Sequence, residues 1–134
     1  MPESDAKPAI MIVDDEPEIR KLVGAMVKQF GYEVITADSG EHAMTLFKNL
    51  KAPLAMLIAD VVAPGMSGPM LADKLTALQP GLKVLFISGY DNTHVVQHYV
   101  VEKGHALLSK PFTVAELEGK MKTLLEPAKS GVAG

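Results

Sequence analysis

Three carboxylates, one hydroxyl and one ammonium stand directly after short apolar runs in this 134-residue chain. Asp14 and Asp15 follow Ala9–Val13, Asp60 follows Leu54–Ala59, Ser88 follows Lys83–Ile87, and Lys110 follows His105–Ser109. Carboxylates crowded into one crevice raise one another's pKa unless a positive charge lies between them. A hard divalent cation suits such a set, since Mg²⁺ (with Mn²⁺ as a substitute) takes oxygen ligands and keeps several waters. Lys110 offers a second positive charge. The group then has the parts for phosphoryl transfer onto a carboxylate. Asp60 would be the nucleophile, Mg²⁺ and Lys110 would stabilise charge on the phosphoryl oxygens, and Ser88 would donate a hydrogen bond to one of them.

These residues meet only if the intervening elements bring them to one edge. The apolar runs read as strands, and between them the apolar period changes to that of a helix. Ile19, Leu22, Val23, Met26, Val27 and Phe30 fall on one helical face after Pro17, with Asp15 as its expected cap and Gly31 as its end. Tyr32–Thr36 reads as the second strand. Ser39 opens a helix carrying Ala43, Met44 and Phe47, and Leu71, Leu75 and Leu78 mark a third. A fourth helix is expected over about 92–103, with Val95, Val96, Tyr99 and Val100 as its apolar part. Thr113 caps a last one carrying Val114, Leu117, Met121, Leu124 and Leu125. Strand and helix alternate five times, which predicts an α/β fold: a doubly wound (βα)₅ parallel sheet of flavodoxin-like order 2-1-3-4-5. In such sheets the functional crevice lies beyond the carboxyl ends of the strands. Residues 9–126 read as one domain between flexible tails, 1–8 and 127–134.

Composition narrows the function classes. The formal charge of −3 leaves no basic surplus for direct nucleic-acid binding. With no cysteine, disulfides, thiolate chemistry and Cys-based zinc sites are excluded. No apolar run approaches the roughly 20 residues of a membrane helix, and Met1–Pro8 lacks a signal-peptide core, so no membrane association and a cytoplasmic location are expected of this fragment. Of the four histidines (His42, His94, His98, His105), only His94 and His98 have metal-ligand spacing, and they lack a third partner.

Four segments carry a resemblance. Ile12-Val13-Asp14-Asp15-Glu16-Pro17, the run from Asp60 to Gly68, Ile87-Ser88-Gly89 and Lys110-Pro111-Phe112 resemble, in order and each at an expected strand end, the receiver domain of two-component response regulators. The resemblance spans about residues 9–125. It implies that Asp60 is phosphorylated from a phosphohistidine on a sensor histidine kinase or histidine phosphotransfer domain. Asp15, Asp60 and the backbone carbonyl of Val62 would ligate Mg²⁺, with Asp14 acting mainly through water. Ser88 takes the switch hydroxyl position, and Lys110 would bridge to the acyl phosphate. The Lys110–Pro111 bond is expected to be cis. Receivers commonly use the face of helix 4, strand 5 and helix 5 for homodimers or partners. The module accepts phosphate and is not itself a turnover enzyme. Phe86–Tyr90 also resembles receivers attached to hybrid histidine kinases, so the parent is either such a kinase or a stand-alone receiver.

The chain departs from the family pattern at three positions. Leu107 stands where receivers usually carry an aromatic residue whose inward rotation accompanies switching, which predicts an altered output switch. Val62 and Tyr90 occupy positions that influence hydrolytic water. An apolar Val62 cannot orient a water and Tyr90 would shield the phosphoryl group, so slow self-dephosphorylation is expected. Two other functions use related parts. Haloacid-dehalogenase-like phosphatases also combine an Asp nucleophile, Mg²⁺, Ser/Thr and Lys, but carry Asp-x-Asp on the first strand, where this chain has Asp14-Asp15-Glu16. A nucleotide- or flavin-binding module would want a glycine-rich loop at that place instead of acids.

Overall fold

The computed structural model describes residues 8–62, 65–89, 100 and 102–125. Its elements run β1 (Ala9–Val13), α1 (Pro17–Gln29), β2 (Glu33–Ala37), α2 (Gly40–Lys48), β3 (Met56–Asp60), α3 (Gly68–Leu78), β4 (Lys83–Ser88), β5 (Ala106–Ser109) and α4 (Val114–Leu125). The two expected tails lie outside the described residues except for Pro8. So does the helix expected over 92–103, apart from helical residues at Val100, Glu102 and Lys103.

All strand pairs are parallel, and the order is β2-β1-β3-β4-β5, as the alternation predicts. β1, β3 and β4 are central and nearly continuously buried, because helices cover both of their faces. Successive side chains point to opposite faces. Met11, Val13, Leu57 and Ala59 therefore join Ala43, Leu71 and Leu75 of α2 and α3 on one side. Ile10, Ile12, Met56 and Ile58 join Val23 and Val27 of α1 and Leu117 and Met121 of α4 on the other. β2 is an edge strand, in keeping with its lack of a site residue.

Local chemistry sets the ends of the helices. Ser39 caps α2 by accepting from the His42 N–H, and Ser67 caps α3 by accepting from Met70. Thr113 and Glu116 form a reciprocal capping box at α4, with bonds of 2.8 and 3.1 Å. Asp15 does not cap α1: the helix starts at Pro17 with Glu16 at its cap position and no side-chain cap bond. Asp15 thus stands outside the helix, and Asp14 rather than Asp15 accepts the Glu16 N–H at 2.9 Å. The buried stripe of α1 is also narrower than the apolar one, since Leu22 is 51% exposed.

Four strands differ in their bounds from the expected ones. β4 extends to Ser88 rather than ending at Ile87, and β5 starts at Ala106 rather than His105. β2 spans Glu33–Ala37 rather than Tyr32–Thr36. β3 starts at Met56 and not Leu54, because the Gln79 amide takes both backbone groups of Leu54, at 3.0 and 2.9 Å. At its other end β3 includes Asp60, paired with Ile87 of β4, so the carboxylate rides on the last rung of a central ladder.

Candidate functional site

β1, β3, β4 and β5 end side by side, and Asp14, Asp60, Ser88 and Lys110 sit at or just beyond those ends. Asp14, Asp15 and Asp60 each offer a carboxylate oxygen, and these three oxygens lie within 4.8 Å of one another. Asp14 is buried, Asp60 half-buried and Asp15 exposed, so the cluster opens to solvent on one side. Three oxygen donors at such spacing, one of them solvent-facing, fit a hard divalent ion that keeps part of its water shell.

The positive charge comes from the residue that follows β5. Lys110 Nζ donates to Asp60 Oδ2 at 3.1 Å and lies 3.8 Å from Glu16 Oε1. The other Asp60 oxygen, Oδ1, accepts the Val62 N–H at 2.9 Å. Both oxygens of Asp60 are therefore oriented. Lys110 is anchored by its backbone N–H, which donates to the Ser88 carbonyl at 2.9 Å, and the Lys110–Pro111 peptide is cis, as the resemblance implies.

Electrostatics follow from this crowding. Burial raises the Asp14 pKa above its ordinary value. The Glu16 N–H pulls the other way, and the Asp60 and Asp15 charges push it up further. Burial on its own would lower Lys110. The hydrogen bond and charge of Asp60, with Asp14 and Glu16 behind, outweigh it and hold the ammonium above its ordinary value.

The remaining expected residues are placed less uniformly. Ser88 is fully buried, and its Oγ donates to the Gly89 carbonyl at 3.0 Å rather than into the carboxylate cluster. Val62 adjoins Asp60 and is 55% exposed. Leu107 pairs in register with Phe86 and packs, partly buried, against the cluster under α2 and α3. Tyr90 lies outside the described residues.

Three positions matter more than their sequence signals suggest. Glu16 reads as a helix-end acid but reaches Lys110. Arg20 Nη1 donates to the Asp14 carbonyl at 2.7 Å and pins the end of β1, a contact that nothing in its spacing announces. Gly68 reads as a loop glycine. Its N–H donates to the Val61 carbonyl at 3.1 Å, and a Cβ there would collide with the Asp60 carbonyl oxygen. Only glycine lets α3 start that close to the strand bearing Asp60.

Known proteins are similar to this chain in sequence or fold. The sensor kinase CckA of Brucella abortus is 30% identical over 117 residues, which is 87% of this chain and 12% of that protein. The response regulator receiver protein CpdR of the same organism is 28% identical over 116 residues, or 87% of this chain and 95% of CpdR. The chain thus spans a small part of CckA and nearly all of CpdR. Among solved structures, the response regulator protein TrrA of Thermotoga maritima, in complex with Mg²⁺-BeF, superposes with a TM-score of 0.75. It is 28% identical, and the match covers 88% of this chain and 99% of TrrA. A response regulator receiver domain protein from Clostridium thermocellum, at 22% identity, shares the fold with a TM-score of 0.82 over 91% of this chain and 97% of its own. The response regulator receiver domain family matches residues 10–122, and with the parallel 2-1-3-4-5 sheet and the acids at its carboxyl edge the chain belongs to that family, a module of two-component signalling.

Proposed function

We propose that the chain is a phosphoacceptor switch in which Asp60 takes a phosphoryl group from a phosphohistidine on a sensor histidine kinase or histidine phosphotransfer domain. The observation that carries this reading is the meeting of three carboxylate oxygens within 4.8 Å with the Lys110 ammonium 3.1 Å from Asp60. TrrA, which is similar in sequence and fold, holds Mg²⁺ with beryllofluoride, a phosphoryl mimic, and this supports the same ion and chemistry here.

In the step proposed, an Asp60 oxygen attacks phosphorus, the new P–O bond forms as the P–N bond breaks, and the imidazole leaves with the electron pair. Val62 and Lys110 hold the two Asp60 oxygens in a fixed plane before attack, which is a positioning contribution. Lys110 then stays within reach of the transferred group and offsets its charge. Asp14, Asp15, Asp60 and the Val62 carbonyl would hold Mg²⁺, Asp14 through water. The ion would supply charge neutralisation on the phosphoryl oxygens. Ser88 would rotate from Gly89 toward the phosphoryl group. Leu107, a leucine on the Phe86 side of the sheet, would repack without a ring rotation, and the face including β4, β5, α4 and the 92–103 segment would carry the output to a partner or a second copy. The parent is proposed to be a stand-alone receiver or a hybrid kinase. Among the described residues no helix is long and apolar enough to cross a membrane.

The test is incubation with acetyl phosphate and Mg²⁺, read by intact mass. Wild type is expected to gain one phosphoryl group, but none when EDTA is present from the start, and Asp60→Asn is expected to gain none. An unmodified wild type, or a modified Asp60→Asn, would overturn the assignment.

A further inference from the structure

Two glycines meet the segment that follows Asp60, and only one of them belongs to it. Gly68 closes the segment against Asp60 and Val61, as described above. Gly40 is the first residue of α2, far from the site in sequence, and it is buried. A Cβ at Gly40 would stand 2.7 Å from Met66 Cβ, 2.8 Å from Met66 Sδ and 3.0 Å from Met66 Cγ. The nearest of these atoms is Met66 Cβ, which cannot move without the backbone, so a rotamer change in Met66 does not relieve the contact. The next residue of α2 also lies beside the same segment: a Cβ on Gly65 would come within 3.3 Å of the Glu41 carboxylate.

Little slack separates Met66 from the site. Ser67 is fixed as the cap of α3, accepting from the Met70 N–H at 3.3 Å. Gly68 is bonded to the Val61 carbonyl and abuts the Asp60 carbonyl. A displacement of Met66 therefore passes through two pinned residues to the backbone of Asp60 and Val61. Packed interiors transmit such displacements rather than absorb them.

We infer that Gly40 is a positioning residue for the phosphoacceptor: its missing side chain seats Met66, and through Met66 the first turn of α2 sets where Asp60 and its neighbouring acids present their oxygens. The inference rests on the reading of Asp60, Asp14 and Asp15 as a metal-assisted phosphoacceptor site. It adds an element, the first turn of α2, that contributes no group to the chemistry.

The experiment compares wild type, Gly40→Ala, Met66→Gly and Gly40→Ala/Met66→Gly. Mg²⁺ affinity is followed by amide chemical shifts, together with urea stability and phosphorylation by acetyl phosphate. Gly40→Ala is expected to shift the amides of Val61 and Gly68 before any Mg²⁺ is added and to weaken Mg²⁺ binding by about threefold or more, within the range of coupling between contacting residues. The double variant, which has no Met66 side chain to collide with, is expected to bind Mg²⁺ as Met66→Gly alone does. If Gly40→Ala loses only stability while the folded protein keeps its Mg²⁺ affinity, the glycine is merely structural and the inference fails. It fails equally if the double variant binds Mg²⁺ more weakly than Met66→Gly, because the loss would then not arise from the collision with Met66. Should Gly40→Ala not fold, Met66→Ala, which removes the thioether resting on Gly40, is expected to weaken Mg²⁺ binding, and unchanged affinity there overturns the inference. A wild type that neither binds Mg²⁺ nor is phosphorylated would instead refute the function on which it rests.

Discussion

Asp14→Asn should make the metal-free protein more stable while weakening its hold on Mg²⁺. Asp14 is buried, with 3% of its surface exposed, and its carboxylate lies in a cluster with those of Asp15 and Asp60 spanning no more than 4.8 Å. Two unit charges at that separation repel by about 1 kcal/mol at the dielectric constant of water and by about 3.5 kcal/mol at an effective value of about 20. Asp15 is exposed, so its share lies near the lower figure, and the Asp14–Lys110 attraction cancels part of the Asp60 share. The burial penalty on the charge is removed as well. The asparagine carbonyl still accepts the Glu16 N–H, and Arg20 binds the backbone carbonyl, so no local bond is sacrificed. The expected net gain is about 1–3 kcal/mol, which at urea m-values of about 1–3 kcal/mol/M moves the midpoint up by about 1 M.

The pH dependence has a definite sign. The Asp14 pKa is raised on folding, so its ionisation costs no stability below the ordinary carboxyl value and costs its full amount above the raised one. Wild-type stability should therefore fall relative to Asp14→Asn as pH climbs through that window, and the gap should be largest at neutral pH. Added Mg²⁺ should raise the wild-type midpoint by ligand linkage and close much of the gap. Urea denaturation at several pH values, with EDTA and with Mg²⁺, makes the comparison. A metal-free Asp14→Asn no more stable than wild type at pH 7 would refute the reasoning, because it would mean that neither burial nor repulsion burdens this carboxylate.

Other perturbations address separate parts of the molecule. Gln79→Ala strips both backbone partners from Leu54 and should cost about 1–3 kcal/mol in urea denaturation with phosphorylation at Asp60 unaffected, since an unmet buried polar group is the expensive case. His105 has its pKa lowered by burial, with Lys103 adding to and Asp73 opposing the shift. Folding disfavours its proton, so wild-type stability should drop as pH falls below about 6.5, and His105→Gln should flatten that limb of the stability curve. Val62→Asn places a polar side chain at a solvent-exposed position next to Asp60 and should speed loss of the phosphoryl group by about two- to tenfold, less than a fully positioned general base supplies. An unchanged decay rate in a pulse-chase of phosphorylated protein would remove Val62 from the account.

The order of elements was legible in the sequence because burial on two faces leaves a plain mark. Ile10, Met11, Ile12 and Val13 are apolar without a gap because β1 is covered on both sides, and the switch to helical spacing at Ile19, Val23 and Val27 follows from covering on one. Asp14, Asp60 and Lys110 could be placed at one edge from topology alone, since parallel strands all end on the same side. Boundaries were less legible: whether Leu54 pairs in the ladder depends on an amide 25 residues away.

What the tertiary structure alone decided is distance and direction. A linear pattern specifies which residues share an edge, but not that Lys110 reaches Asp60 and Glu16 together, that Ser88 turns to Gly89, or that Arg20 pins the end of β1. Nor could it connect Gly40 with Met66, because a glycine's missing side chain has meaning only against whatever fills the space. Periodicity records how much water an element sees, averaged along its length. A site depends on atoms from separate elements arriving within a few ångströms of one another, and that is fixed only when the whole core packs.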